Sequence, residues 1–306
     1  MTTKRAGWAF LWMTVSFLAA SLFAGYFFPY AGIAMTALLS ELCLLLPAAF
    51  FLAKGRAGLA SQLRLRLIKP TTVLMVLVYH ICCYPIIIAM NAFTLLISDN
   101  AALDIQAEFM GESYFAIWFF VGLIGPLVEE FVFRGVLLGG LRTTGRILSA
   151  IILSAALFGM VHMNINQFSY TFFAGIYWGL LAEATGSLIP SVICHVMMNS
   201  LSVAAMYFYD NSLLELDGIM EQTEQAAASY LITGCVFLVI SVFTTVLAIL
   251  MLKVISLNEG NTGCVENIFR KKTRAERFGS LFSIPLAAGM VLSAVVIIWM
   301  MVIGTV

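Results

Sequence analysis

Apolar runs of about 18 residues or more recur along the whole of this chain, and they decide what it can fold into. Each is long enough to cross a hydrocarbon core of roughly 30 Å as a helix. The chain has 306 residues, 62% of them hydrophobic and only 10% charged. A soluble domain of this length carries about 25% charged residues. The chain therefore reads as all-α, a polytopic transmembrane helix bundle of about nine spans.

The spans fall at Gly7–Phe28, Ala31–Ala53, Thr71–Ile97, Tyr114–Leu141, Ile147–Met163, Phe168–Ala184, Leu188–Tyr209, Ala226–Leu252 and Leu281–Ile303. The first follows Lys4 and Arg5 and shows no clear cleavage site, so it is expected to be a retained helix rather than a signal peptide. No repeat of fixed period and no low-complexity linker interrupts residues 1–306, which read as a single transmembrane domain.

Charge gives the orientation. With the N-terminus in the cytoplasm, the inside loops hold Lys4, Arg5, Lys54, Arg56, Arg64, Arg66, Lys69, Arg142, Arg146, Lys253, Arg270, Lys271, Lys272, Arg274 and Arg277. Only Arg134 among the 16 basic residues falls inside a span. The outside loops carry Asp99, Asp104, Glu108, Glu112, Asp210, Glu215, Asp217, Glu221 and Glu224. This satisfies the positive-inside rule and puts the C-terminus outside. The basic residues of 53–70 and 260–279 read as interfacial side chains at the lipid headgroups. Net charge is zero, and nothing here suggests a nucleic-acid partner, which would need a clustered basic face. The six cysteines show no C-x-x-C spacing and read as packing residues.

Charges inside spans are costly and face a protein interior or a wet cavity. Glu41 lies in the second span and Glu183 near the end of the sixth. The fourth holds Glu129, Glu130 and Arg134 in PLVEEFVFRG. Glu130 and Arg134, at i and i+4, share a helix face and can pair. Glu129 is turned about 100° away and is left without that partner. An unpaired carboxylate in an apolar setting is a good proton acceptor, which suits a general base. Pro126, just upstream, tends to kink its helix.

There are three histidines. His80, alone in the third span, reads as a packing residue. His162 ends the fifth span, and His195 lies in the seventh with Asn199 one turn later. Neutral imidazole can bind a metal, orient water or donate to an oxyanion, and Asn199 could add an amide donor. His162, His195 and Glu129 with a water would also make a zinc site. Neither histidine has the paired H-x-x-x-H spacing of a zinc protease helix, so the residues permit zinc without requiring it.

Taken together, Glu129, Glu130 and Arg134, then Phe158 and His162, then His195 and Asn199 form E-E-x-x-x-R, F-x-x-x-H and H-x-x-x-N in order on three spans. This set resembles the CPBP family of intramembrane proteases, named for CAAX proteases and bacteriocin-processing proteins and also called the Abi family. The resemblance covers about Tyr114–Tyr209, the catalytic core that family members share. It implies an intramembrane endopeptidase acting on a peptide or membrane-protein substrate in the lipid bilayer of a bacterial plasma membrane. By the same resemblance Glu129 activates water, His162 positions it, His195 and Asn199 stabilise the oxyanion, and Glu130 with Arg134 supports the site. It leaves two chemistries open, a zinc site and a metal-free glutamate mechanism. A different class of function, a transporter or a non-catalytic binding or immunity protein using the charges as an ion relay, remains the alternative.

Straight upright helices set these residues at different depths. Glu129 falls roughly 18 Å from the inner end of its helix, His195 about 10 Å from its own, and His162 near the outer end. Convergence therefore requires tilt, a late start to the fifth span or the Pro126 kink.

Overall fold

The computed structural model of the chain describes residues 1–28, 32–55, 63–98, 111–208, 224–270, 273, 276–277 and 279–304. All regular secondary structure among them is helical. The helices are α1 (Thr3–Phe27), α2 (Ile33–Ala53), α3 (Pro70–Thr94), α4 (Tyr114–Thr144), α5 (Ile147–Met160), α6 (Ile165–Thr185), α7 (Ile189–Phe208), α8 (Glu224–Asn258), the short α9 (Cys264–Phe269) and α10 (Ile284–Gly304). The acidic residues Asp99, Asp104, Glu108, Asp210, Glu215, Asp217 and Glu221, and the basic residues Arg56, Lys271, Lys272 and Arg274, lie outside the described residues.

Every expected span has its helix, and seven helices are long and apolar enough to cross a membrane. The chain is an integral membrane protein. The two other helices differ from simple spans for physical reasons. α5 has only 14 residues and stops at Met160, short of the expected Met163. α6 is long enough but opens with the polar run Asn166, Gln167, Ser169, Tyr170 and Thr171. It packs against α3, α5, α7 and α8, so its polar groups meet protein rather than lipid. Asn166 Nδ2 donates to Asn91 Oδ1 at 2.9 Å and to Thr94 Oγ1 at 3.1 Å. A helix enclosed by other helices does not need the uniformly apolar surface that lipid demands.

α6 sits close to α5 because Gly175 and Gly179 face it. A Cβ on Gly175 would meet the Ala155 Cβ at 2.9 Å, and one on Gly179 would meet Ile151 Cγ2 at 2.8 Å. This is small-xxx-small packing, in which missing side chains let two backbones approach. The same Cβ on Gly175 would lie 3.2 Å from Arg134 Nη2. The close approach thus also makes room for a buried guanidinium.

α3 is not one continuous span. It is interrupted at Cys82 and Cys83, just ahead of Pro85. Proline has no N–H to offer the preceding turn.

The basic residues of 63–69, expected at the lipid headgroups, also engage buried protein groups. Arg64 grips Glu183 with two hydrogen bonds of 2.8 and 3.0 Å, and Arg142 Nε lies 3.5 Å from the same carboxylate. Arg66 Nη2 donates to Glu259 Oε2 at 3.0 Å and to the Thr185 carbonyl at 2.7 Å. Glu259 also accepts from the Lys69 N–H at 2.9 Å and from Thr72 Oγ1 at 2.6 Å. The reason is that Glu183 and Glu259, buried at the helix ends, need cations more than the lipid surface does. The six cysteines are all free, and Cys82, Cys83 and Cys194 are buried.

Candidate active site

α4 carries the charged residues, and its backbone is irregular on both sides of them. Trp118–Ile124 and Phe131–Leu137 are π-helical, flanking an α-helical Gly125–Glu130. Such stretches occur often at functional sites. The first has a cause in the sequence. The Gly125 N–H reaches back five residues to the Phe120 carbonyl. The next residue in that register is Pro126, which has no N–H for the Val121 carbonyl. Asn199 Nδ2, from α7, donates to that carbonyl at 3.0 Å. In the second stretch the Leu138 N–H reaches the Phe133 carbonyl, which also accepts from Ser154 Oγ at 2.9 Å. Pro126 therefore acts by widening the preceding turns.

On this helix Arg134 Nη1 lies 2.7 Å from Glu130 Oε1, and both side chains are buried. The guanidinium lies 4.5 Å from the centre of the Phe158 ring and 5.3 Å from that of Trp178. Cation–π contacts of this kind are strongest when desolvated. His195, from α7, joins both carboxylates. Its Nδ1 is 3.0 Å from Glu130 Oε1 and its Nε2 is 3.3 Å from Glu129 Oε2. Its face stacks on Trp178 at 4.3 Å and 28°. The Glu130 contact is a hydrogen bond, so one of its two atoms carries a proton.

The expectation of an unpaired Glu129 is corrected here: His195 is its partner. Spacing along one helix cannot register a partner that arrives from another. The two glutamates do differ in access. The Glu129 side chain keeps 14% of its exposure, whereas Glu130 keeps none. Only the first is open to the outside of the packed bundle.

His162 lies past the end of α5, in a turn, rather than inside a span. Its backbone N–H bonds the Gly159 carbonyl at 3.3 Å, and Met163 follows at φ 55°. Its Nδ1 faces the Phe158 carbonyl at 3.0 Å. In a neutral ring that nitrogen carries the proton, which leaves Nε2 as an acceptor. The Phe158 ring stands edge-on to both His162 and His195, at 5.2 and 5.6 Å. The structure thus brings Glu129, Glu130, Arg134 and His195 into direct contact and places His162 close by. Asn199 is engaged with the α4 backbone.

Trp178 is a site residue that spacing did not single out. It stands between the two glycines of Gly175-x-x-x-Gly179, and that close-packing motif was the available signal. Of the other intramembrane charges, Glu183 is bound to Arg64 and Arg142 as described, and Glu41 Oε1 lies against Gly125, 3.2 Å from where a Cβ would be. Among the described residues no three His, Cys, Asp or Glu side chains gather as a metal-ligand set. His195 Nε2 faces Glu129 Oε2 while Nδ1 is held by Glu130, but no third side chain of that set joins them, so the zinc site expected with His162 is not assembled among the described residues.

Residues 111–201 match the profile of the type II CAAX prenyl endopeptidase, Rce1-like, family. The chain is also similar to the membrane-embedded CAAX protease MroQ of Staphylococcus aureus (strain USA300). The two are 32% identical over 118 residues, which cover 37% of this chain and 45% of MroQ. It is 26% identical over 117 residues to a Bacillus subtilis (strain 168) protein named as membrane peptidase YdiL, covering 38% of this chain and 44% of that protein. No solved structure matches it. The α4 to α7 segment is thus similar to the Rce1-like CAAX prenyl endopeptidase family. The chain spans less than half the length of the curated relatives it matches.

Proposed function

We propose that this chain is an intramembrane endopeptidase that hydrolyses a peptide bond with a water activated by Glu129, within a catalytic core at 114–209. The observation that carries this reading is the Glu129–His195 contact of 3.3 Å beside a buried Glu130–Arg134 pair, inside an apolar bundle. A charge cluster of this kind is costly in a membrane protein and is most readily explained by chemistry.

In the proposed reaction Glu129 takes a proton from water as the oxygen attacks the scissile carbonyl carbon. His162, with Nδ1 bound to the Phe158 carbonyl, offers Nε2 to position that water. Negative charge gathers on the carbonyl oxygen. His195 Nε2–H turns to it from Glu129, and Asn199 offers its second amide hydrogen, the first being held by Val121. The proton on Glu129 then passes to the leaving nitrogen as the C–N bond breaks. Glu130, braced by Arg134, holds His195 through Nδ1. No step runs through a metal.

The substrate is a peptide or membrane-protein segment presented within the bilayer, and nucleic acid has no part in it. The basic loops favour a cytoplasmic N-terminus and an outside C-terminus, and the bacterial relatives favour a plasma membrane. The test is a cleavage assay on the purified full chain in phospholipid bicelles, using a quenched-fluorescent transmembrane peptide. Cleavage by the natural chain and its loss in Glu129→Gln are expected. Equal activity in the two would overturn the reading.

A further inference from the structure

If the peptidase reading holds, the substrate must be unwound where it is cut, because a carbonyl in a helix is shielded by its own turn. Unwinding inside a membrane frees backbone N–H and C=O groups that hydrocarbon cannot satisfy. The enzyme has to supply donors and acceptors beside the cleaved bond. Buried side chains with hydrogen-bonding capacity left over are therefore the place to look.

His80 is fully buried. Neither of its ring nitrogens has a hydrogen-bond partner among the described residues, and the same holds for the buried Tyr84 Oη and Trp178 Nε1. The His80 ring stands edge-on to Tyr84 at 5.0 Å, and its half of α3 packs against α7, which carries His195, on which Trp178 stacks. His80 and Tyr84 straddle the break in α3. Both lie upstream of the matched segment 111–201. A purely packing role fits poorly, since an apolar ring would fill the space without leaving polar atoms unpaired.

We propose that His80 and Tyr84 form a peptide-binding station, hydrogen-bonding main-chain groups of the unwound substrate on the α3 side of His195. Neither takes part in bond breaking. Their work is to hold the extended peptide so that its carbonyl meets the water on Glu129.

The test uses the full chain in bicelles and a quenched-fluorescent peptide with one Leu/Ala segment of about twenty residues broken by Gly-Gly. A second set of peptides carries a single ester in place of one amide near the cleaved bond, deleting one N–H each. Binding is read separately, as fluorescence anisotropy of the same peptide with the Glu129→Gln chain. His80→Phe and Tyr84→Phe are each expected to raise KM about tenfold while kcat changes by less than about threefold. Tyr84→Phe removes one oxygen and guards against a misfolded His80→Phe. His80→Gln is expected to recover most of the loss. At one ester position the penalty seen with the natural chain should vanish in His80→Phe or Tyr84→Phe, because a bond already lost cannot be lost again. KM within about twofold of the natural value in both aromatic variants overturns the station, as do penalties that multiply at every ester position. A natural chain that neither cleaves nor binds any peptide removes the peptidase reading itself, and the station with it.

Discussion

Asn199 donates its side-chain amide to the carbonyl of Val121, 3.0 Å away, a carbonyl that Pro126 leaves without a backbone donor in the π-helical register. The bond ties α7, which carries His195, to the stretch of α4 just ahead of Pro126. Asn199→Ala is expected to lower stability by about 1–3 kcal/mol, the cost of a buried carbonyl left unpaired. Thermal unfolding in detergent measures it. An unchanged midpoint would mean that the contact does not tie the helices.

Glu129 is the more exposed of the two paired carboxylates. Glu129→Gln keeps the shape and removes the base, so cleavage is expected to fall at least about a hundredfold while the unfolding midpoint stays close to that of the natural chain. Initial rates on the transmembrane peptide and a melting curve on the same sample give both values.

The Glu130–Arg134 pair is buried on both sides. Arg134→Met leaves a carboxylate facing apolar rings, and a loss of about 3–5 kcal/mol is expected. The double variant Glu130→Leu/Arg134→Met should be milder than either single change, because no lone charge remains. Denaturation of the three variants side by side tests this order.

Glu259 lies just beyond α8, outside the membrane-spanning segments. Burial pushes its carboxyl up, but hydrogen bonds from Thr72 and the Lys69 N–H and the charges of Arg66 and Lys69 outweigh this and hold it below its ordinary value. A carboxyl lowered in the folded state stabilises the fold above the unfolded value of about 4.3 and loses that contribution as pH falls through the folded one. Glu259→Gln should therefore melt earlier than the natural chain at about pH 7 and converge with it in acid. Melting temperatures of the two across a pH series report this directly.

Both nitrogens of His195 face carboxylates, and no ligand set gathers around it among the described residues. Exhaustive chelation followed by metal analysis is expected to leave the cleavage rate unchanged. A loss of activity restored by added zinc would require His162 to close on His195 Nε2 and Glu129 as a third ligand.

The sequence by itself determined that the chain is a helical membrane protein, because apolar length and scarcity of charge leave a bilayer segment no other way to satisfy its backbone. It also marked the few residues expected to carry chemistry there: Glu129, Glu130, Arg134 and the two motif histidines. The i, i+4 spacing of Glu130 and Arg134 was legible because both ends of that contact lie on one helix. Only the tertiary structure decided the rest. Straight helices put Glu129 and His195 at different depths, yet they meet at 3.3 Å across a helix with two π-helical stretches. Trp178 stacks on His195, and the basic 63–69 segment turns onto Glu183 and Glu259, because each of these contacts joins residues far apart in the chain. A periodicity fixes which face of a helix a residue occupies, whereas its partner depends on how that helix packs against others.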